Sequence, residues 1–240
     1  MKQFLHNERR LLVAVVLLLI LSNVPYGRQI LYPFTLFSTW VHELFHGLAA
    51  LVQGERIASL EIFRDGSGKA MTTPAGDRLG RSIVSSAGYV GTAAFGAGLL
   101  ALRRWPRAGR IGVVAIGAVM LLSVALWVRN GFGIFALGAS GAALVAAGLK
   151  LTEEWSGHLY AFLAVTCSLN AFTSIKILFS GATLQVAGKP VDHSDAHSVA
   201  EQLFLPYWFW AGLWLVLSVA LMVLALKVGA AKEARERSGT

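Results

Sequence analysis

The chain has 240 residues and a net charge of +8, with 55% of residues hydrophobic and only 14% charged. Its mean hydropathy of +0.61 is too high for an ordinary soluble domain and predicts a polytopic membrane protein with no room for a large soluble module. The basic residues lie mainly between apolar runs and at the termini, as beside anionic headgroups, so they do not indicate a nucleic-acid partner, and the single cysteine, Cys167, excludes an intrachain disulfide or a multi-cysteine zinc site.

A basic start with Lys2, Arg9 and Arg10 leads into the apolar run Leu11 to Val24. A signal peptide would have this form, but no small-x-small cleavage site follows and Pro25-Tyr26-Gly27 reads as a turn. The expectation is a retained first transmembrane helix that starts before Leu11. The next run, about Ile30 to Val52, is long enough to span a hydrocarbon core of roughly 30 Å. It carries His42-Glu43-Leu44-Phe45-His46. On a helix His42 and His46 share a face one turn apart, so their imidazoles can converge on one tetrahedral metal ion, most simply zinc. Glu43 lies next to that face, within reach of a water as general base. Composition alone would produce this His-Glu-x-x-His pattern roughly 0.006 times in such a chain. Ionisable residues inside a membrane helix are costly and so point to function.

Residues 54–81 are polar and hold the good strand signals. Arg56 to Phe63 and Lys69 to Thr73 flank Asp65-Gly66-Ser67-Gly68, a hairpin turn. A third spanning helix, Ile83 to Leu102, is rich in small residues (Gly88, Gly91, Gly96, Gly98), which let membrane helices pack closely. A loop with Arg103, Arg104, Arg107 and Arg110 follows. Two helices, Ile111 to Val128 and Phe132 to Leu149, are joined by Arg129-Asn130-Gly131 and must form a helical hairpin. Lys150 to Gly157, with Glu153 and Glu154, reads as a solvated turn.

The sixth run, Leu159 to Ser180, places Asn170, Thr173 and Lys176 on one face. Gly181 to Gln202 contains Asp192-His193-Ser194-Asp195-Ala196-His197, where Ser194 or Asp195 can cap a helix. Leu205 to Lys227 is the last spanning run, and Tyr207, Trp208, Trp210 and Trp214 crowd its start like an interfacial aromatic belt. Residues 228–240 read as a charged, frayed tail. The predicted fold class is an all-α polytopic membrane protein of about seven transmembrane helices, with six possible, and a small β-hairpin after the motif helix. It forms one membrane-embedded domain over residues 1–240. With seven spans Lys and Arg divide evenly between the two faces, so the positive-inside rule gives no orientation.

His42-Glu43-Leu44-Phe45-His46-Gly47-Leu48-Ala49-Ala50, followed by Gly54 and a polar hairpin, resembles the M50 metallopeptidases, the site-2-protease-like intramembrane zinc proteases. Ser194-Asp195-Ala196 before a final apolar helix is similar to the M50B-like branch. The resemblance implies a third metal ligand, an aspartate well C-terminal of the first motif. Its usual Leu-Asp-Gly context is absent, and Asp195 is the nearest equivalent, with Asp192, His193 and His197 as further candidates. It also implies that the hairpin receives substrate as an added strand. Asn170 would match an asparagine that positions substrate, although the proline of that family's Asn-x-x-Pro stretch is missing here.

The expected activity is zinc-dependent intramembrane endoproteolysis of membrane protein or peptide segments in the lipid bilayer, with Zn2+ held by His42, His46 and Asp195 and with Glu43 as general base. The expected localisation is an integral, multi-pass protein of the cell membrane. The competing reading is a non-catalytic membrane protein of the same fold that binds or regulates a partner. A small transporter finds no support in inverted repeats or paired broken helices. The sequence carries no information on substrate, cleavage site or oligomeric state.

Overall fold

The computed structural model describes residues 2–73, 77–103, 105, 107–179, 184–186, 188–191 and 194–238, with side chains described within 11–169, at 188 and within 194–228. Among these residues the order is α1 (Lys2–Asn23), α2 (Gly27–Val52), β1 (Ile57–Ile62), β2 (Gly68–Thr72), α3 (Arg78–Leu102), α4 (Ala108–Leu126), α5 (Gly131–Lys150), α6 (Glu153–Phe179), β3 (Leu184–Val186), β4 (Lys189–Val191), α7 (Asp195–Leu203) and α8 (Tyr207–Ser238). The protein is helical apart from two small antiparallel hairpins.

By length and composition, four described helices can cross a membrane: α3, α4, α5 and the Tyr207–Val228 part of α8. Leu11–Asn23 of α1 is apolar but shorter. Among the described residues four spans meet this criterion, so the expected seven are not confirmed. The motif helix α2 is long enough at 26 residues, but its polar residues lower its hydropathy, as befits a helix that carries a polar site inside the protein.

The turn between α1 and α2 is tight. Tyr26 takes a left-handed conformation, and a Cβ at Gly27 would lie 1.6 Å from the Leu21 carbonyl oxygen, so only glycine fits. Helix α3 is central and packs against α2, α6, α7 and α8. Its small residues permit this. Gly88, Gly91 and Gly96 each lie against a neighbour too close for a side chain, whereas Gly98 meets nothing. The main core gathers Trp40, Val41 and Leu44 of α2, Leu60 and Ile62 of β1, Met120 of α4, Leu137 of α5 and Leu163 and Cys167 of α6. Cys167 is buried there, as a small packing residue.

The first hairpin pairs Leu60 with Ala70 and Ile62 with Gly68 around the Asp65-Gly66 turn, and Gly66 takes the positive φ that this turn needs. Two α2 side chains hold its tip: Tyr32 donates to the Arg64 carbonyl and Thr39 to the Gly66 carbonyl. The outer edge of β1 is sealed by the α4–α5 connection. Leu60 N–H donates to Trp127 O at 2.8 Å, Arg129 N–H to Leu60 O at 3.2 Å, and the Asn130 amide bonds both backbone groups of Ile62. Leu60 and Ile62 therefore turn their backbone groups away from β2. By the alternation of an antiparallel ladder, Ala70 and Gly68 turn theirs to the opposite, outer edge of β2. No other described strand pairs with that edge.

Four expectations change. Glu153 and Glu154 are not in a loop but form the first turn of α6, where the helix dipole favours acidic side chains. Residues 181–202 hold a second hairpin, β3–β4, before α7. The segment after Lys227 continues α8 as far as Ser238 instead of leaving it as a frayed tail. In the aromatic cluster of α8, Trp208 is 55% exposed as an interfacial residue would be, but Trp214 is 2% exposed and belongs to the interior.

Candidate metal centre

His42 and His46 lie on one face of α2 with their Nε2 atoms 3.0 Å apart. Asp195, 153 residues further along the chain from His42, brings Oδ2 to 3.1 Å from His42 Nε2 and 3.4 Å from His46 Nε2. Among the described residues these three form the group that could hold a metal ion. Tetrahedral zinc with bonds of about 2.0–2.1 Å sets its donors about 3.3 Å from one another. The triangle fits that demand and leaves a fourth position open.

The donor chemistry fits as well. His46 Nδ1–H donates to the Val84 carbonyl at 2.6 Å. A carbonyl only accepts, so the proton is on Nδ1 and the Nε2 lone pair faces the triangle. Two imidazole nitrogens and a carboxylate oxygen thus converge where a cation relieves their repulsion. His46 and Glu43 are each 7% exposed, while the Asp195 side chain keeps 28% of its surface. Burial alone would raise the Asp195 carboxyl, but the neighbouring His46 and His42 rings hold it well below the usual carboxylate range.

Local sequence explains how Asp195 arrives. Ser194 is the N-cap of α7, its hydroxyl accepting from His197 N–H, so Asp195 begins the helix with its side chain in the first turn. The capping and ligand roles fall on adjacent residues and do not compete. His197 is not directed to the triangle; it bonds the Ser194 hydroxyl at 2.9 Å through Nδ1 and stacks on Tyr207 with ring centroids 4.2 Å apart. Asp192 and His193 lie outside the described residues. Asn170 is in α6, but its side chain is outside the described set.

Helix α3 supplies what sequence reasoning missed. A Cβ at Gly88 would stand 2.4 Å from His46 Nε2 and 2.5 Å from His42 Nε2. Only a glycine leaves room for the two rings and an ion between the helices. The next residue, Tyr89, meets the His42 ring edge to face at 4.8 Å and stacks on Trp214 at 4.9 Å. Tyr89 of α3, backed by Trp214 of α8, holds the His42 imidazole in place. Glycine and aromatic residues in an apolar helix carry no spacing signal, so only the fold reveals these contacts.

Glu43 is set apart from the three donors. Its side chain lies against β2, where a Cβ at Gly68 would stand 2.6 Å from its Cγ and 2.9 Å from Oε1. The outward N–H of Ala70 lies close to the carboxylate. It therefore occupies the place beside the donor triangle where the unsealed edge of β2 passes, with its charge close to His42, His46 and Asp195.

The family model described as peptidase M50B-like matches residues 11–225 of the chain. Neither the curated proteins nor the solved structures give a significant match.

Proposed function

The chain belongs to the peptidase M50B-like family, and from that premise we propose that it is a zinc-dependent intramembrane endopeptidase that cuts membrane protein segments in the cell membrane. The observation that carries the proposal is the division of labour around α2. Three donors converge on one point, while the fourth ionisable group, Glu43, is withheld from them and held against a strand edge. A merely structural metal site has no use for that carboxylate.

His42, His46 and Asp195 would hold the ion, which when bound supplies Lewis acidity toward water and toward a peptide carbonyl. Glu43 accepts the proton of the attacking water and returns it to the leaving amine, so the carboxylate ends the cycle as it began. The outer edge of β2 receives the substrate. A transmembrane helix must unwind before its peptide bond is accessible, and the outward backbone groups of Gly68 and the carbonyl of Ala70 can bond the extended segment. The added strand would then lie beside Glu43. Asn170 stays a candidate for positioning the substrate carbonyl.

The test compares the wild-type chain with Glu43→Gln, each expressed in membranes and purified in mild detergent. Zinc per chain is measured together with the membrane-protein fragments that accumulate. Equal zinc in both, with fragments that appear only beside the wild-type chain, is the expected result. Identical fragments beside Glu43→Gln would remove Glu43 from the mechanism. A wild-type chain that folds without zinc would remove the metal and the peptidase reading with it.

A further inference from the structure

The face of α2 that carries no site residues opens on an apolar cleft of about 500 Å³ between α2, α3, α4 and α6. Its floor is the back of the motif helix, Trp40, Val41, Leu44 and Leu48, and its walls run from Leu102 to Phe95 on α3 and from Ala108 to Val119 on α4. Ala108 to Val119 is twelve residues of helix, a rise of about 16 Å over eleven steps of 1.5 Å. That is the depth of one leaflet, about half of the roughly 30 Å hydrocarbon core.

One end of the cleft lies at the α3–α4 connection. Trp105, which lines it, is 56% exposed. Arg103 and Arg107 flank Trp105 in the chain, and Arg104 adds a further positive charge to the same short connection. Arg107 is exposed, with a long 3.9 Å pairing to the exposed Glu153 among the described residues, while Arg103 donates to the Leu100 carbonyl. Arg110 is otherwise engaged, because its guanidinium caps the last carbonyls of α5. A dry slot one leaflet deep with a cationic, tryptophan-bearing rim is complementary to one class of molecule. The slot takes an acyl chain, the rim takes a negative headgroup, and the indole lies at the boundary between them. A second copy of this chain does not suit the rim, since two such arginine clusters would repel.

We propose that this cleft binds an anionic phospholipid, with one acyl chain along the back of α2 and its phosphate at Arg103 and Arg107. The bound chain packs directly behind the helix that carries His42 and His46, so the lipid is a structural ligand of the motif helix. This inference does not depend on the peptidase reading.

The test uses native mass spectrometry of the full chain in detergent, titrated with phosphatidylglycerol or phosphatidylcholine of identical acyl chains. The wild-type chain should retain one phosphatidylglycerol about tenfold or more in preference to phosphatidylcholine, as expected for two arginines facing an anionic headgroup. Arg103→Gln with Arg107→Gln should erase the preference. Ala115→Phe fills the cleft from an exposed lining position on α4, which carries none of the metal donors, and should abolish the retained lipid while zinc per chain is unchanged. Equal retention of the two lipids by the wild-type chain, or undiminished retention by Ala115→Phe, would overturn the proposal. A folded, zinc-bearing Ala115→Phe guards against a loss that reflects misfolding.

Discussion

On one face of α2, His42, Glu43 and His46 meet glycines and backbone; on the other, Trp40, Val41 and Leu44 meet large apolar side chains. The polar face tolerates almost no side-chain volume opposite it, because Gly88 stands against the two imidazoles and Gly68 against the carboxylate. The apolar face is packed by volume, with Leu60, Ile62, Met120 and Leu163 in the same core. One face holds reactive groups in place by leaving room for them, and the other holds the helix in place by filling space. Substitutions on the two faces should therefore separate chemistry from stability.

The largest separation is expected at Gly88. Replacing a helical glycine with alanine ordinarily stabilises a helix by about 0.8–1 kcal/mol. Here the new methyl would lie 2.4–2.5 Å from both Nε2 atoms and must push the donors apart. Gly88→Ala should keep the helix content of the chain, cost about 1–3 kcal/mol of stability at most as the rings give way, and lower metal affinity by about 10–100-fold or more, the scale of losses at residues that orient metal ligands. Circular dichroism and a zinc competition titration measure the two effects on one preparation. Unchanged zinc affinity would mean that the donor triangle is not held against α3.

The opposite result is expected across the helix. Leu44 is buried in the core on the face of α2 turned away from His42 and His46, so Leu44→Ala removes packing on that face. It should cost about 2–5 kcal/mol of stability, at the low end if lipid fills the space beside it, and leave zinc per chain unchanged. Denaturation in detergent with a parallel zinc assay reads both quantities. Zinc lost in proportion to stability would show that the two faces are not independent.

The same contrast explains what is legible in the sequence. His42, Glu43 and His46 stand out because rare, ionisable residues recur at helical spacing within an apolar run. Asp195 is reachable only through the need for a third ligand and the resemblance of Ser194-Asp195-Ala196, since nothing local ties it to a helix 153 residues earlier. Gly88, Tyr89 and Trp214 look like ordinary membrane-helix residues, and their roles come from contacts between α2, α3 and α8. Hairpin β1–β2 is readable from Asp65-Gly66 and its flanking strands. Hairpin β3–β4 is not, because its strands have three residues each and one of them contains Pro190. Glu153 and Glu154 read as loop residues because an acidic first helical turn has the composition of a turn.

The smallest effect tests how far the apolar face is sealed from polar chemistry. Trp40 carries the single described polar contact of that face, its indole Nε1–H donating to the Ser123 hydroxyl at 2.7 Å. That hydroxyl itself donates to the Met120 carbonyl of its own helix, so Ser123 keeps a bond when Trp40 is changed. Trp40→Phe preserves most of the aromatic packing against Phe37 and removes one neutral hydrogen bond, which should cost about 0.5–1.5 kcal/mol. Zinc content and the shape of the unfolding transition should not move. A larger loss would identify the Trp40–Ser123 bond as the clamp that fixes the rotation of α2, and through it the direction in which His42 and His46 point. In that case Ser123→Ala, which leaves the indole donor without its acceptor, should reproduce the loss from α4, and the back of the helix would then control the front.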